Sequence, residues 1–227
     1  MGVLCMRIVS WNCHGKFREK FNFIQELDAD IYVIQECENP EKFGKTFSGF
    51  CPEYVWYGEK GSKGLAIFAG KGNRIKENDW PFYCLRHFVS VRVNDAFDLL
   101  GVWAGPPYIE EYYVYQAINI ARYNKDLIII GDFNSNAIWD KKSSKRNHTA
   151  VVNELKSTGI VSVYHHITGE SQGKETQATF YMYGNPEKPY HIDHCFASPD
   201  RIKSYRIMSP GIWLQHSDHM PVVLETT

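Results

Sequence analysis

Short apolar segments typical of β-strands alternate with segments of helical periodicity, and Gly, Pro or Asn stands at most of the joints. The chain opens with a predicted strand over 6–11, a helix over 17–27 and a second strand over 31–34. Four strands of a predicted antiparallel meander follow, over 54–57, 65–69, 88–93 and 97–103. This pattern predicts two mixed β-sheets packed face to face, with helices outside.

The second half continues the same alternation. Helices are predicted over 107–123 and 148–157, and strands over 127–130, 161–164, 178–183, 191–197, 205–208 and 220–224. No repeat, low-complexity tract or break in composition longer than a loop interrupts the pattern. We therefore expect one domain over residues 1–227.

Charge and apolar content exclude several classes of protein. Because 25 Lys and Arg balance 26 Asp and Glu, for a net charge of −1, the chain lacks the uniformly basic surface of a general DNA coat. Apolar runs such as 127–130 fall far below the roughly 18 residues that cross a bilayer. The start, MGVLCMRIVSWNC, shows no secretory signal. Six cysteines without a C-x-x-C pair predict reduced, mostly buried thiols in a cytoplasmic protein.

Three apolar strands each run into a side chain with an oxygen ligand: Asn12, Glu36 and Asp132. A single such residue is ordinarily a turn residue or a helix cap, but three in one chain favour a site at the carboxyl ends of the strands. Asn134 stands two residues after Asp132, so an extended backbone would point both side chains the same way. The two would then share a pocket.

The C-terminal segment QHSDHMPVV places Asp218 directly before His219. Neighbours in extended backbone point to opposite faces, so Asp218 is poorly placed to orient His219. If His219 acts as an acid, a base or a cation, its carboxylate comes from elsewhere, and Asp193 in the segment YHIDHCF is the candidate. The alternative is a hydrogen-bonded surface histidine.

The order WN, QE, GDFN, ID and SDH, running from residue 7 to residue 223, resembles the endonuclease/exonuclease/phosphatase superfamily. The resemblance implies a four-layer α/β sandwich, a divalent metal and hydrolysis of a phosphate ester. It implies a metal corner at Asn12 and Glu36, with Asp218 as a further carboxylate on the metal or water side. It implies that Asp132 activates or positions water, that Asn134 donates to the phosphoryl group and that Asp193 is the partner of His219.

The chain departs from the nuclease pattern of the superfamily at three positions. His14 stands where many DNA-cleaving members carry Asp, which could alter metal binding. Trp103 replaces a Tyr or His, and an indole cannot relay a proton. His191 replaces the Arg of Arg-Ile-Asp, so a phosphate contact there would be weaker or pH-dependent.

Oxygen ligands favour Mg²⁺ or Mn²⁺ over Zn²⁺, and the Cys-His pairs lack zinc spacing.

The run KKSSKRNH could contact phosphates through its cations, although such a run is often only a solvated loop. These cations are Lys141, Lys142, Lys145 and Arg146. Exposed tryptophans could stack on bases, although packing in the core or at a rim is an equal alternative for each; the candidates are Trp103, Trp139 and Trp213. Trp103 and Arg146 are the candidate substrate contacts.

We expect a nuclease that hydrolyses DNA or RNA, with no membrane association and no obligate protein partner. Two alternatives remain at this point. One is a phosphatase or phosphodiesterase acting on a small or lipid phosphate ester. The other is a non-catalytic binding protein on the same fold, against which the retention of all seven polar candidates argues.

Overall fold

The computed structural model describes residues 5–47, 49–59, 63–85 and 87–227. The expectation about the start of the chain concerns residues that include 1–4, which lie outside the described residues. The strands, in chain order, are β1 Arg7–Asn12, β2 Ile31–Cys37, β3 Glu53–Glu59, β4 Lys63–Ala69, β5 Ile75–Glu77, β6 Phe88–Val93, β7 Phe97–Trp103, β8 Leu127–Asp132, β9 Val161–Ser162, β10 Phe180–Tyr181, β11 Pro189–Tyr190, β12 Asp193–Ala197, β13 Ile202–Ile207 and β14 Val222–Thr226. The α-helices are α1 Phe21–Gln25, α2 Gly44–Phe47, α3 Ile109–Asn119, α4 His148–Ser157, α5 Val163–Thr168 and α6 Pro210–Trp213.

Two six-stranded mixed sheets form the framework, as the sequence predicts. The first has the order β13-β14-β1-β2-β4-β3 and the second β5-β6-β7-β8-β12-β9. Each contains one parallel pair, β1 with β2 and β7 with β8, among antiparallel neighbours. The short ribbon of β10 and β11 lies outside both sheets.

The alternation of side chains along the strands places the core between the sheets. On β8, Ile128 and Ile130 face the first sheet, where they pack with residues such as Val33 and Ile67. The intervening Ile129 faces outward and packs with side chains of α3 and α4. Strands buried on both faces account for the continuous apolar run of this segment. Aromatic side chains from α1 and α2 cover the outer face of the first sheet, which completes the predicted four layers.

Several predicted elements differ in extent from the structure. The predicted strand 161–164 ends after two residues, and α5 takes over at Val163, with Gly169 in the left-handed conformation ending that helix. The predicted helix 17–27 is a 3₁₀ turn and a short α1, because Lys20 between them has non-helical backbone angles. The predicted strand 178–183 shortens to Phe180–Tyr181, and the unpredicted strand β5 adds an edge to the second sheet.

The six cysteines are free thiols, four of them buried. In the part of the chain that the structure describes, no helix has both the length and the apolar character needed to cross a membrane.

Candidate active site

The ends of central strands from both sheets meet at one edge of the sandwich. Asn12 is the last residue of β1 and Asp132 the last of β8. The amide Nδ2 of Asn12 donates to Asp132 Oδ2 at 2.9 Å, which joins the two sheets through buried side chains. Asp193, the first residue of β12, is the register partner of Asp132. Packing of the two sheets therefore brings together residues far apart in sequence.

Glu36 reaches the same edge through an irregularity in its strand. The pairing of β2 with β4 shifts register between Gln35 and Cys37, and Glu36 has a φ of 58°. A bulge of this kind re-aims a side chain at the end of a ladder. Glu36 Oε1 lies 3.4 Å from Asn12 Nδ2, and Oε2 forms an ion pair with Lys63 Nζ.

Asp132 and Asn134 do face each other, but the predicted extended backbone is wrong. Asn134 has a φ of 47°, in the left-handed region that Asn tolerates better than most residues. Its backbone N–H donates to Asp132 Oδ1 at 2.8 Å, and its side-chain amide donates to Asp132 Oδ2 at 3.1 Å. The same amide also donates to the carbonyl of Ala104 at 3.1 Å. A tight Asx turn therefore unites the pair.

His219 and Asp193 lie in contact, 26 residues apart in sequence. His219 Nδ1 lies 2.9 Å and 3.2 Å from the two carboxylate oxygens of Asp193. The Phe180 ring covers the imidazole, with the ring centroids 4.6 Å apart. The free nitrogen, Nε2, points toward Asp132 and lies 3.9 Å from its Oδ2. The histidine is thus fixed by one carboxylate and presented to another.

Burial and charge act differently on the two titratable groups. Burial raises the pKa of Asp132 to about 7, with the charge of Asp193 acting in the same direction and His219 opposing it. Burial alone would lower the pKa of His219, but the negative charges of Asp193 and Asp132 outweigh it and raise that pKa to about 10. Near neutral pH the arrangement holds a protonated imidazole beside a carboxylate with basic character.

Asp218 stands in a bend directly before His219 and contacts a different partner. Its Oδ1 is 3.1 Å from Nδ1 of His14. Both residues line a cavity beside the edge where the two sheets meet. The substitution at position 14 therefore places an imidazole directly against the carboxylate expected near the metal.

The predicted metal ligands were Asn12, Glu36 and Asp218, whereas the compact group of potential ligands among the described residues is Asp132, Asp193 and His219. In that group His219 Nδ1 already forms a hydrogen bond with Asp193. The high pKa of the imidazole also keeps the ring protonated. Both features disfavour metal binding by His219.

Asn12 also differs from its predicted role as an oxygen ligand. Its Oδ1 accepts from the His14 backbone N–H at 3.0 Å, so its nitrogen faces the carboxylates. Glu36 already carries a cation, the ammonium of Lys63. The carboxylates of Glu36 and Asp132, bridged by the Asn12 amide, offer the oxygen chemistry that suits a hard divalent ion.

A cavity of about 780 Å³ opens beside Asn134 and Asp218. Aromatic side chains form much of its wall, and three of them are substantially exposed: Tyr108, Trp139 and Tyr183. Phe180, which covers His219, also lines it. Tyr108, Tyr183 and Phe180 are not among the residues predicted from the sequence, although the dense aromatics of FYMYGNPEKPY are a signal for the last two. A volume of this size accommodates a nucleotide-sized ligand.

Only some of the cations and tryptophans predicted to contact substrate line the cavity in the structure. Arg146 and Lys141 line the cavity, and Lys142 and Lys145 do not. Trp103 is half-buried against the core between the sheets, with its ring centroid 4.5 Å from that of His87, and it does not line the cavity.

Trp213 and His191 are both buried. Trp213 is buried in the core, so it offers no stacking surface. His191 is also buried, and its Nδ1 donates to the carbonyl of Gln177 at 2.8 Å. The expectation of a weaker or pH-dependent phosphate contact at this position stays a prediction.

No protein-family model and no curated protein matches this chain. Solved structures do. A 3′ phosphatase from Neisseria bound to a product DNA hairpin is 19% identical, with 98% of this chain and 99% of that chain covered and a TM-score of 0.71. An AP endonuclease from Archaeoglobus fulgidus is 18% identical, with coverage of 96% and 98% and a TM-score of 0.71.

An endonuclease/exonuclease/phosphatase family protein from Bacteroides thetaiotaomicron is also similar, at 16% identity, with coverage of 100% and 98% and a TM-score of 0.65. The chain therefore has the fold of this group of proteins along its length, as the motifs predict. Identity this low establishes the fold alone, and the chemistry must be argued from the side chains.

Proposed function

We propose that the chain is a divalent-metal-dependent phosphodiester hydrolase whose substrate is a nucleic acid. The observation that carries the proposal is the arrangement of Asp132 between the Asn134 amide and the His219–Asp193 pair, with Glu36 joined to it through Asn12. A carboxylate, an amide donor and an oriented imidazolium on one edge match the demands of attack on a phosphate ester.

Each side chain has a role that follows from its contacts. Asp132, whose pKa is raised by burial, holds the attacking water and accepts its proton. The imidazolium of His219, fixed by Asp193, donates a charged hydrogen bond to a phosphoryl oxygen. In the structure the two side-chain N–H groups of Asn134 donate to Asp132 and Ala104, and on substrate binding the N–H that bonds Asp132 turns to donate a second hydrogen bond to the phosphoryl group. A Mg²⁺ or Mn²⁺ ion held at Glu36 would supply a positive charge that neutralises the phosphate and polarises the scissile bond.

The cavity supports nucleic acid as the substrate. Exposed aromatic faces at Trp139, Tyr108 and Tyr183 offer stacking surfaces for bases. Arg146 and Lys141 lie on the same wall and offer positive charge to neighbouring phosphates. Because the net charge is only −1, binding is confined to this face and weakens as salt rises.

A second candidate is a phosphatase that removes a terminal phosphate from nucleic acid. The cavity of about 780 Å³ suits a unit of about one nucleotide beside Asn134 and Asp218. One structural relative is itself a 3′ phosphatase bound to a DNA hairpin. The same residues would serve either reaction.

The test uses end-labelled DNA and RNA, single-stranded and duplex, with and without a 3′ phosphate, incubated with Mg²⁺ or Mn²⁺ or with EDTA. We expect metal-dependent cleavage that the Asp132→Asn variant lacks. Removal of only the terminal phosphate would support the phosphatase. Release of phosphate from soluble phosphomonoesters with every nucleic acid intact would overturn the nucleic-acid proposal. Binding without any turnover, and without metal affinity in calorimetry, would support a non-catalytic protein.

A further inference from the structure

Three buried histidines, His148, His191 and His194, pack in a row beneath the segment that follows β8, and we call them the histidine layer. The ring centroids of His148 and His194 are 4.6 Å apart, and those of His194 and His191 are 5.1 Å apart. None of the three lies within the set of side chains argued above to perform the reaction. Their position suggests a supporting function, because they contact the loop that carries Asn134.

The hydrogen bonds of the layer define the tautomer of His194. Its Nε2 lies 2.8 Å from the carbonyl oxygen of Ser135. A carbonyl only accepts, so Nε2 carries the proton and donates. Nδ1 of His194 is buried without a hydrogen-bond partner, which agrees with an unprotonated nitrogen in an apolar setting. Burial also lowers the pKa of His194 well below its usual value, which favours the neutral ring.

Ser135 is the residue directly after Asn134, and the segment is fixed on both sides of them. The Phe133 N–H donates to the carbonyl of Ile192 at 3.0 Å. The Asn136 side chain donates to the carbonyl of His191 at 2.9 Å. Between these anchors the backbone carbonyl of Ser135 is held by the His194 ring, while His148 Nδ1 lies 3.3 Å from the Ser135 hydroxyl.

This contact matters because Asn134 has an unusual backbone conformation. A φ of 47° in a residue other than glycine is held in place by its surroundings. The Ser135 carbonyl belongs to the Ser135–Asn136 peptide unit, so a hydrogen bond that fixes it restricts rotation about the backbone bonds of Ser135, the residue directly after Asn134. The His194 hydrogen bond restrains the start of the segment that presents Asn134 to the cavity and to Asp132.

We propose that His194 is a positioning residue, whose Nε2–H bond to the Ser135 carbonyl holds the Asn134 backbone in the conformation that places its amide beside Asp132, within reach of the phosphoryl group. The expected effect on catalysis rests on the proposed function. The positioning itself is a property of the folded chain and is measurable without a substrate.

The test compares three substitutions at one position. The amide nitrogen of glutamine is three bonds from Cβ, the same number as Nε2 of histidine. The amide nitrogen of asparagine is two bonds from Cβ, the same number as Nδ1 of histidine. His194→Leu removes the donor at similar volume. We expect His194→Leu and His194→Asn to lower kcat by about 10- to 100-fold, the scale of a misplaced group, with KM little changed. His194→Gln should recover most of the activity. In an Asn134→Ala background the same substitutions should have little further effect.

A second measurement is independent of turnover. Hydrogen exchange of the Asn134 backbone N–H, which donates to Asp132, should accelerate at least tenfold in His194→Leu and stay near wild type in His194→Gln. The Ile130 N–H in β8 serves as the reference for global unfolding. If wild-type protein cleaves nothing, the proposed function fails while the exchange result still decides the positioning. Equal behaviour of the glutamine and asparagine variants, or unaltered Asn134 exchange in the leucine variant, would overturn the inference.

Discussion

Asp132 and Asp193 are direct register partners on the antiparallel strands β8 and β12, so two buried carboxylates face each other across one position of the ladder. His219 lies against both, 2.9 Å from an oxygen of Asp193 and 3.9 Å from one of Asp132. A positive charge on the imidazole offsets the repulsion between the two buried carboxylates.

Removing the charge of Asp193 should therefore disable His219. We expect Asp193→Asn to lower kcat by roughly 100-fold or more, since the imidazolium loses the carboxylate that orients and charges it. Steady-state kinetics on a labelled oligonucleotide measure the effect. Glu187→Gln, a change of the same kind at an exposed position, is the matched control. Wild-type turnover in Asp193→Asn would remove His219 from the mechanism.

Glu36 should determine the response to divalent metal. In Glu36→Gln the carboxylate that faces Lys63 and Asn12 is lost, so we expect about 100-fold lower activity at fixed Mg²⁺ and a weaker heat of binding in calorimetry. Glu41→Gln, at an exposed position five residues away, should behave as wild type. Unchanged metal affinity in Glu36→Gln would place the ion elsewhere.

Arg146 should contribute to substrate binding rather than to turnover. It lines the cavity whereas Lys142, in the same basic loop, does not. Arg146→Ala should raise KM and reduce the slope of log affinity against log salt by about 1, the contribution of one phosphate contact. Lys142→Ala should leave that slope nearly intact. The idea is wrong if both variants have the same effect.

The histidine layer should make the protein less stable in mild acid. Burial lowers the pKa of His148 to about 4 and lowers those of His191 and His194. Between pH 6.5 and 4 the unfolded chain therefore binds more protons than the folded chain, and the free energy of unfolding decreases as pH falls. The slope reaches at most about 1.4 kcal/mol per pH unit for each histidine. Asp132, whose pKa is raised to about 7, takes up a proton in the folded chain over the same range and offsets one of the three. Denaturant unfolding across this range should show the decline, and His148→Gln should make it shallower.

The backbone conformation at the end of β8 should require glycine at position 131. It has a φ of 152°, and a Cβ atom there would lie 2.0 Å from the carbonyl oxygen of Val102 on the neighbouring strand. We expect Gly131→Ala to lower the free energy of unfolding by about 2 kcal/mol or more. Gly159 has a φ of 84° with open space around its Cα, so Gly159→Ala should cost only about 1 kcal/mol. Equal costs would contradict this explanation.

Local pattern predicted the core strands well because periodicity reports burial directly. The run of isoleucines in β8 is buried on both faces, and the predicted helix 148–157 coincides with α4. The pattern failed at 161–164, where β-branched valines suggested a longer strand. There the chain turns into α5, and the Ser162 hydroxyl lies 2.7 Å from Nδ1 of His165. A contact of this kind depends on the backbone turn and leaves no periodic signal.

For the candidate site, too, one part follows from the sequence and another part from the tertiary structure. Residue types and their order in sequence determined the fold and the set of polar side chains available for a site, because strand ends and motif spacing are properties of the chain itself. Only the tertiary structure decided which of them meet. The direction of the Asn12 amide, the turn that aims Asn134 and the burial that shifts the pKa values of Asp132 and His219 depend on how two sheets pack. Hydrogen-bond direction and desolvation depend on neighbours that are distant in sequence. The local sequence pattern therefore cannot predict either property.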